Sequence, residues 1–143
     1  MSIESIIHLY NRAQDHITNP KLRREDGKYI TRFYEGQQDA CKLIVTFFKG
    51  EMKLKKGRLA GITKMTPPDD FKYLISQYNE SFEKADKISS SFDFDSCGDG
   101  YPRGYSYNIL HIMDCLGYMP VFKSEVTLKN LMGFRRKNDE NLS

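Results

Sequence analysis

The chain has 143 residues, with 22 Lys and Arg against 19 Asp and Glu, and 39% of its residues are hydrophobic. This length is typical of one domain and allows a real core, which nine Phe and nine Tyr can fill, and this composition argues against global disorder. The sequence contains no run of about 18 apolar residues, which is the length that a helix needs to cross a membrane. Glu4 interrupts the first apolar stretch, which has no basic start, and this pattern predicts that no secretory signal is present. Three cysteines are too few for a disulfide framework and predict a cytoplasmic location.

The charge changes sign along the chain. Residues 1–64 carry a net charge of +6, residues 65–118 a net charge of −5 and residues 119–143 a net charge of +2. An asymmetry of this kind favours a partner that is attracted electrostatically. The alternative is that the basic and acidic parts pack beside each other and cancel, as mixed charges do on many protein surfaces.

Apolar spacing predicts two helices and a hairpin in the first half. Large apolar residues recur at intervals of three and four over residues 2–17 and again over residues 31–49, which is typical of amphipathic helices. Residues 51–63 then alternate around Lys56-Gly57. This pattern predicts a short β-hairpin with Gly57 at a positive φ.

The second half is predicted to be helical, with a glycine-rich interruption. The proline pair at 67–68 introduces a regular helix that ends near Ile88. A glycine-rich loop follows, and then a helix over residues 106–116. A last short helix is predicted over residues 124–132.

Together these elements predict a mainly α or α+β fold with four to five amphipathic helices and one short hairpin, at about 51–63. The predicted organisation is a single compact domain over residues 1–134, followed by a frayed tail over residues 135–143. No internal repeat with a period of 20–50 residues is visible. The apolar faces of the helices predict a core that contains Ile6, Tyr10, Phe33, Ile44, Phe47, Leu74, Tyr78, Phe82, Leu110 and Met113.

Basic residues concentrate in and beside the predicted hairpin. Side chains at a hairpin tip are exposed, and the nearest acidic block lies beyond the proline pair, on a separate helix. Such a surface suits phosphate backbones or an acidic protein surface. The alternative is an edge strand that lysines guard against aggregation. The predicted partner-binding residues are Lys53, Lys55, Lys56, Arg58, Lys64, Arg23 and Arg24.

The glycine-rich loop before the fourth predicted helix is a second candidate site. Glycines allow the backbone to approach a ligand, and a helix that begins at Ser106 would offer free amides to an anion. The spacing is neither that of a P-loop nor that of the dinucleotide fingerprint, and the alternative is a flexible turn. The candidate anion-binding residues are Gly98, Gly100, Arg103, Gly104 and Ser106.

The sequence contains no convincing catalytic or metal-binding motif. His111 and Cys115 are four residues apart and share one helix face, so with Cys97 they could supply three zinc ligands. Cys97 could also act as a nucleophile with His111 as its base. Because no C-x-x-C pair exists, the sequence favours structural thiols and predicts no metal, no cofactor and no disulfide.

The stretch RGYSYNILHIMDCLGYMPVFKS, residues 103–124, with Pro67-Pro68 upstream, resembles the C-terminal part of the viral late transcription factor 3 family. The resemblance covers less than half of the chain. The closing aromatic segment of that family includes a tryptophan, and this chain has none, so neither activity nor site residues are carried over.

These patterns predict a small non-enzymatic binding protein. We expect an accessory or inhibitor protein, of the phage or viral anti-defence type, that docks on a larger protein or nucleoprotein complex with an acidic or nucleic-acid-binding surface. This expectation rests on small size and the lack of a motif. The first alternative is binding of nucleic acid or nucleotide phosphate by the basic hairpin and the loop at Arg103. The second is a small hydrolase or nuclease that uses His111, Cys97 or the aspartates; no membrane partner is expected.

Overall fold

The helices and strands follow the apolar spacing of the sequence over most of the chain. The structure, a computed structural model, describes residues 3–18, 27–89, 99–124 and 127–137. Within these residues it contains four helices and two short antiparallel hairpins in one compact unit, which confirms the predicted mainly helical α+β class. The elements are α1 (Ile3–Thr18), α2 (Gly27–Phe47), β1 (Glu51–Lys55), β2 (Arg58–Thr63), α3 (Lys72–Ser89), α4 (Tyr101–Cys115), β3 (Tyr118–Phe122) and β4 (Leu131–Arg136).

Four predicted helices and the hairpin at 51–63 are confirmed, with shifts at their ends. Helix α2 begins at Gly27 rather than at residue 31. Helix α4 begins at Tyr101, so the prediction that it starts at Ser106 is wrong. Pro102 lies in the first turn of α4, where its missing amide hydrogen removes no helical hydrogen bond. The helix can therefore include a segment whose glycines and proline are typical of a loop.

The predicted helix over residues 124–132 is wrong. In its place β3 and β4 form a second antiparallel hairpin, in which Tyr118 pairs with Arg136 and Phe122 pairs with Leu131. A lone extended segment after α4 would leave its backbone groups without partners, and β4 supplies those partners.

Strand β4 runs past the predicted start of the tail at residue 135. Arg135 and Arg136 are the last residues of the strand, and the amide of Lys137 donates a hydrogen bond to the carbonyl of Gly117 at 2.9 Å. The folded unit therefore extends to Lys137, and residues 138–143 lie outside the described part of the chain.

The core lies where the apolar faces of the four helices meet. On α4 the buried side chains include Ile109, Ile112 and Met113, whereas Leu110, predicted to face inward, is only partly buried. The four helices thus point the expected faces inward, and on α4 the buried face includes Met113 as predicted. Of the predicted core, the buried residues are Ile6, Tyr10, Ile44, Leu74, Tyr78 and Met113, and the partly buried ones are Phe33, Phe47, Phe82 and Leu110.

Helices α2 and α4 cross at two glycines. A Cβ atom on Gly36 of α2 would overlap the carbonyl oxygen of Tyr101 and come within 2.9 Å of the Tyr105 nitrogen. Gly104 of α4 lies against α2 in the same way, where a Cβ atom would overlap the carbonyl oxygen of Phe33. Because both positions lack a side chain, the two helix backbones are in direct contact. This crossing joins the two halves of the chain.

The two halves repeat one arrangement of elements. Each consists of two helices followed by a hairpin. Equivalent residues of the helices are 68 positions apart, as are Gly36 and Gly104, and each of these glycines contacts the backbone of the other's helix. The correspondence continues where the second helix of each half ends, because Lys49 and Gly117 both have a positive φ, of 59° and 92°.

The two hairpins correspond as well. In both, the register shifts at the same place, beside the Leu54–Leu59 pair in the first hairpin and beside the Phe122–Leu131 pair in the second. The second strands are 72 residues apart rather than 68, because the second hairpin has a longer loop. This period lies outside the range of 20–50 residues in which the sequence shows no repeat.

Gly104→Ala is expected to destabilise the protein, although alanine favours a helix over glycine by about 1 kcal/mol. The added methyl group would overlap the carbonyl of Phe33 and force α2 and α4 apart. We expect the free energy of unfolding, measured by urea denaturation, to fall by about 1–3 kcal/mol. The control is Gly133→Ala in β4, where a Cβ atom meets nothing within 4 Å. Equal effects of the two substitutions would contradict a tight crossing.

Candidate partner-binding surface

The first hairpin is closed by a tight turn. Lys55 of β1 pairs with Arg58 of β2 across the turn residues Lys56 and Gly57. These two residues have φ angles of 54° and 80°, as in the type I′ turn that matches the twist of a two-residue hairpin. The positive φ of Gly57 is confirmed, and Lys56 also lies in the left-handed region.

An asparagine of α1 holds the first hairpin on the helical core. Asn11 Nδ2 donates to the carbonyl of Leu59 at 3.0 Å, and the Leu59 amide donates to Asn11 Oδ1 at 2.7 Å. Asn79 of α3 makes the same two hydrogen bonds to Leu131 of β4, at 3.1 and 2.8 Å. Two bonds from one amide group determine both distance and orientation. Each hairpin is therefore held through its second strand by the first helix of its half.

The lysines of β1 lie on the exposed face of the hairpin. Lys53 and Lys55 are exposed, whereas Met52 and Ile62 pack against the core on the other face. Side chains alternate along a strand, so lysines at every second position share one face. The register shift in β2 lets Leu59 face the core as well, although it is three residues from Ile62.

Two of the predicted binding cations are already paired within the protein. Arg58 forms an ion pair with Asp15 of α1. Lys64 forms an ion pair with Glu51, with Nζ 3.1 Å from Oε1. Both pairs are exposed and contribute little stability, but they lower the net positive charge that these two cations present.

The lysine cluster consists of Lys53, Lys55 and Lys56. All three are exposed, and none forms an ion pair with another residue in the described ranges. Their charge is therefore directed at solvent. Arg23 and Arg24, which the sequence assigns to the same surface, lie outside the described residues.

The acidic middle of the chain does not neutralise the lysine cluster. On α3, Glu80 pairs with Lys84 at 3.3 Å, and Asp86 pairs with Lys129 at 3.0 Å. These carboxylates are compensated by cations beside them. Among the described residues, no ion pair links α3 to the lysine cluster. The basic and acidic blocks do meet elsewhere, because Arg32 of the basic block pairs with Asp99 of the acidic block at 3.2 Å.

The glycines of the predicted anion site are used in helix packing. Gly104 and Gly100 both lie against the backbone of α2, and Gly98 lies outside the described residues. Ser106 is not an N-cap, because it is buried within α4 and its hydroxyl donates to the carbonyl of Pro102 at 2.9 Å. The close approach that these glycines permit is therefore made by α2 and not by a ligand.

The N-terminus of α4 already holds a carboxylate. Asp99 Oδ1 accepts a hydrogen bond from the Tyr101 amide at 2.9 Å, and it lies 3.2 Å from the guanidinium of Arg32. An external anion at this helix end would meet that negative charge. Arg103 lies half-buried in the first turn of α4 and has contacts within the protein. The geometry does not favour the predicted anion site.

The cysteines and His111 do not assemble into a site in the part of the chain that the structure describes. There, no three His, Cys, Asp or Glu side chains lie together so that they could hold a metal ion; Cys97 lies outside it. Burial raises the pKa of the Cys41 thiol to about 12 and raises that of Cys115. Both thiols are therefore protonated at neutral pH, and a protonated thiol is a poor nucleophile. The absence of a metal and a cofactor stays a prediction.

Comparisons with known proteins identify no relative. No family model matches the chain. No curated protein and no solved structure matches it either. The resemblance of residues 103–124 to a viral family thus has no support from a family match.

Asn11→Ala is expected to release the first hairpin from α1 while the core stays folded. The substitution leaves the amide and carbonyl of Leu59 without partners, at a cost of about 1–3 kcal/mol. Amide hydrogen exchange, measured by NMR, should become faster at Leu59 and stay slow at Leu131, which Asn79 holds. Asn79→Ala is the reciprocal control. Unchanged exchange at Leu59 in the first variant would show that Asn11 does not hold the hairpin.

Proposed function

We propose that the chain is a small non-enzymatic binding protein that docks on a larger complex, with the lysine cluster against an acidic protein surface. The proposal rests on a difference in pairing between the basic residues in and beside the first hairpin. Arg58 and Lys64 have acidic partners in the protein, whereas the lysine cluster has none among the described residues. Adjacent like charges repel each other, and an acidic surface relieves that repulsion. The attraction acts over a Debye length of about 8 Å at physiological salt.

Lys56 lies in the turn of the first hairpin, where its side chain is exposed. Its φ of 54° lies in the left-handed region, which Asn and Gly adopt at a lower cost than lysine. Lysine is therefore not the residue that best stabilises this turn, and its ammonium group is available to a partner.

An acidic protein surface fits the hairpin better than nucleic acid does. Arginine and aromatic side chains make many of the contacts to bases and phosphates. In this hairpin Arg58 is held by Asp15, and the large apolar side chain between Lys53 and Lys55 is Leu54, which is 55% exposed. A strand with lysines on one face and an exposed apolar side chain on the other suits a protein that offers both acidic and apolar groups. Nucleic-acid binding is the alternative that the experiment below distinguishes.

Two finer expectations from the sequence belong to this proposal. A role as an accessory or inhibitor protein, such as an anti-defence protein, depends on what the docked surface does in its complex, and it stays a prediction. A cytoplasmic location fits the thiols of Cys41 and Cys115, which are not in disulfides. In the described ranges, no helix combines the length and the apolar character needed to cross a membrane.

Charge reversal of the lysine cluster, with Lys53, Lys55 and Lys56 each changed to Glu, is expected to weaken binding to acidic polymers. The fold should persist, because a surface substitution usually shifts stability by under about 0.5 kcal/mol. Fluorescence anisotropy of labelled poly-L-glutamate, between about 50 and 200 mM salt, measures the effect. The Kd should rise about tenfold or more, because each exposed ion pair contributes up to about 1 kcal/mol.

The matched control reverses Lys42, Lys72 and Lys123. These lysines are exposed, lie outside the first hairpin and form no ion pair with another described residue. The two triple variants have the same net charge, so a difference between them reports the position of the charge. An equal loss of binding in both would overturn the proposal. Tighter binding of a short DNA duplex than of poly-L-glutamate, with the same dependence on the lysine cluster, would favour the nucleic-acid alternative.

Lys56→Asn separates a role in the turn from a role in binding. Asparagine adopts the left-handed φ more readily, so the free energy of unfolding should rise by up to about 1 kcal/mol. The same variant should bind poly-L-glutamate about two- to fivefold more weakly, because one exposed cation is lost. Urea denaturation and anisotropy measure the two effects. A more stable variant with undiminished binding would remove Lys56 from the docking surface.

A further inference from the structure

Strand β1 has backbone groups that point away from β2. Residues of an antiparallel pair alternate between positions that exchange hydrogen bonds and positions that do not. Leu59 directs its amide and carbonyl to Asn11. Leu59 and Leu54 therefore form a pair that exchanges no backbone hydrogen bonds. The amide and carbonyl of Leu54 therefore point to the outer edge of β1. Those of Met52, two residues earlier, point the same way.

The outer edge of β1 is open in the described structure. β1 pairs with β2 alone, and no hydrogen bond joins the outward groups of Met52 or Leu54 to another described residue. The strand is exposed except at Met52, which is half-buried. An edge of this kind can pair with a further strand.

The equivalent edge of the second hairpin, on β3, carries a proline. Pro120 of β3 stands 68 residues after Met52, at the equivalent position, and pairs with Phe134 as Met52 pairs with Ile62. Proline has no amide hydrogen, so β3 cannot donate a hydrogen bond there. The chain thus lacks an outward donor at this position of one hairpin edge and keeps it at the equivalent position of the other, beside three lysines that have no ion-pair partner among the described residues.

We propose that β1 is a strand-addition site for an extended segment of the partner in which acidic and apolar residues alternate. This inference rests on the proposed function and states how the partner is held. Side chains of an added strand alternate between two faces, so its carboxylates meet Lys53 and Lys55 on one face and its apolar side chains meet Leu54 on the other. A second copy of this chain is a poor occupant, because two β1 strands would bring their lysines together.

Hydrogen exchange at single amides tests this inference directly. The probe is a short synthetic peptide of alternating Glu and Val, added to saturation, and the measurement is NMR exchange on the full chain. The outward amides of Met52 and Leu54 should become protected about tenfold or more, whereas the amide of Lys53, which faces β2, should change little. Protection that is equal at all three amides, or absent, would overturn strand addition.

Met52→Pro copies into β1 the residue that β3 carries as Pro120. The second hairpin accommodates proline at this position, and Met52→Ala is the matched control because it removes the same side-chain contacts but keeps the amide. The Kd for the alternating peptide should rise about tenfold in Met52→Pro relative to Met52→Ala, through loss of a hydrogen bond and a clash with the added strand. Leu54→Pro, compared with Leu54→Ala, repeats the test at the other outward amide and serves if Met52→Pro does not fold.

The two proposals fail in different ways. If reversal of the lysine cluster weakens peptide binding and neither proline variant does, strand addition is overturned and docking through the lysines stands. If reversal of the lysine cluster has no effect, the proposed function is overturned. If a DNA duplex binds more tightly than the peptide and is insensitive to both prolines, the lysines serve nucleic acid and strand addition is overturned.

Discussion

The direct contact between the backbones of α2 and α4 sets the geometry of the whole molecule. Gly36 and Gly104 permit it, and the equivalent side chains Ile44 and Ile112, one from each half, are fully buried in the same core. Each half thus buries the apolar face of its helix pair against the other half. The hairpins pack on this core, to which Leu59 and Leu131 contribute buried side chains. The first hairpin takes its position from the helices, because α1 packs on α2 and holds β2 through Asn11. The direction in which the lysine cluster points is therefore a consequence of helix packing.

The sequence leaves two interpretations of the β1 lysines, as guards of an edge strand against aggregation or as a docking surface. Both depend on one physical property, the positive charge along the edge of β1. Lysines along an edge repel an identical edge and attract an acidic one, so the same charges that oppose self-association select a partner of opposite sign. The individual pairs are weak, since exposed ion pairs contribute about 0–1 kcal/mol each. In the proposed strand addition, specificity for an acidic segment depends on charges and backbone hydrogen bonds acting together. Pro120 protects the other hairpin without charge, by removing a donor.

The sequence predicts the elements of this fold better than their assembly. Spacing of apolar residues locates four helices, and Lys56-Gly57 locates the first hairpin, because these signals are local. The second hairpin is missed because its two strands are separated by a loop with no turn signature, and pairing partners are not encoded by spacing. The repeat leaves few identical residues; Tyr-Asn recurs at 10–11 and 78–79, and Leu-x-Gly recurs at 59–61 and 131–133. The first signal marks the asparagines that hold the hairpins, and the second marks the leucines to which they bond. That the two belong together is known only from the hydrogen bonds between helix and strand.

The crossing of α2 and α4 also governs how the chain reaches its native state. Gly36 and Tyr101, which touch at this crossing, are 65 residues apart in the sequence. Forming the contact closes a long loop at an entropic cost that rises with the logarithm of its length, whereas the first hairpin closes across only two residues. Local elements of each half can form within microseconds, and we expect the meeting of the halves to be the slower event that completes folding. The two similar halves are joined by residues 64–71, and we expect this short connection to set the concentration at which each half meets the other.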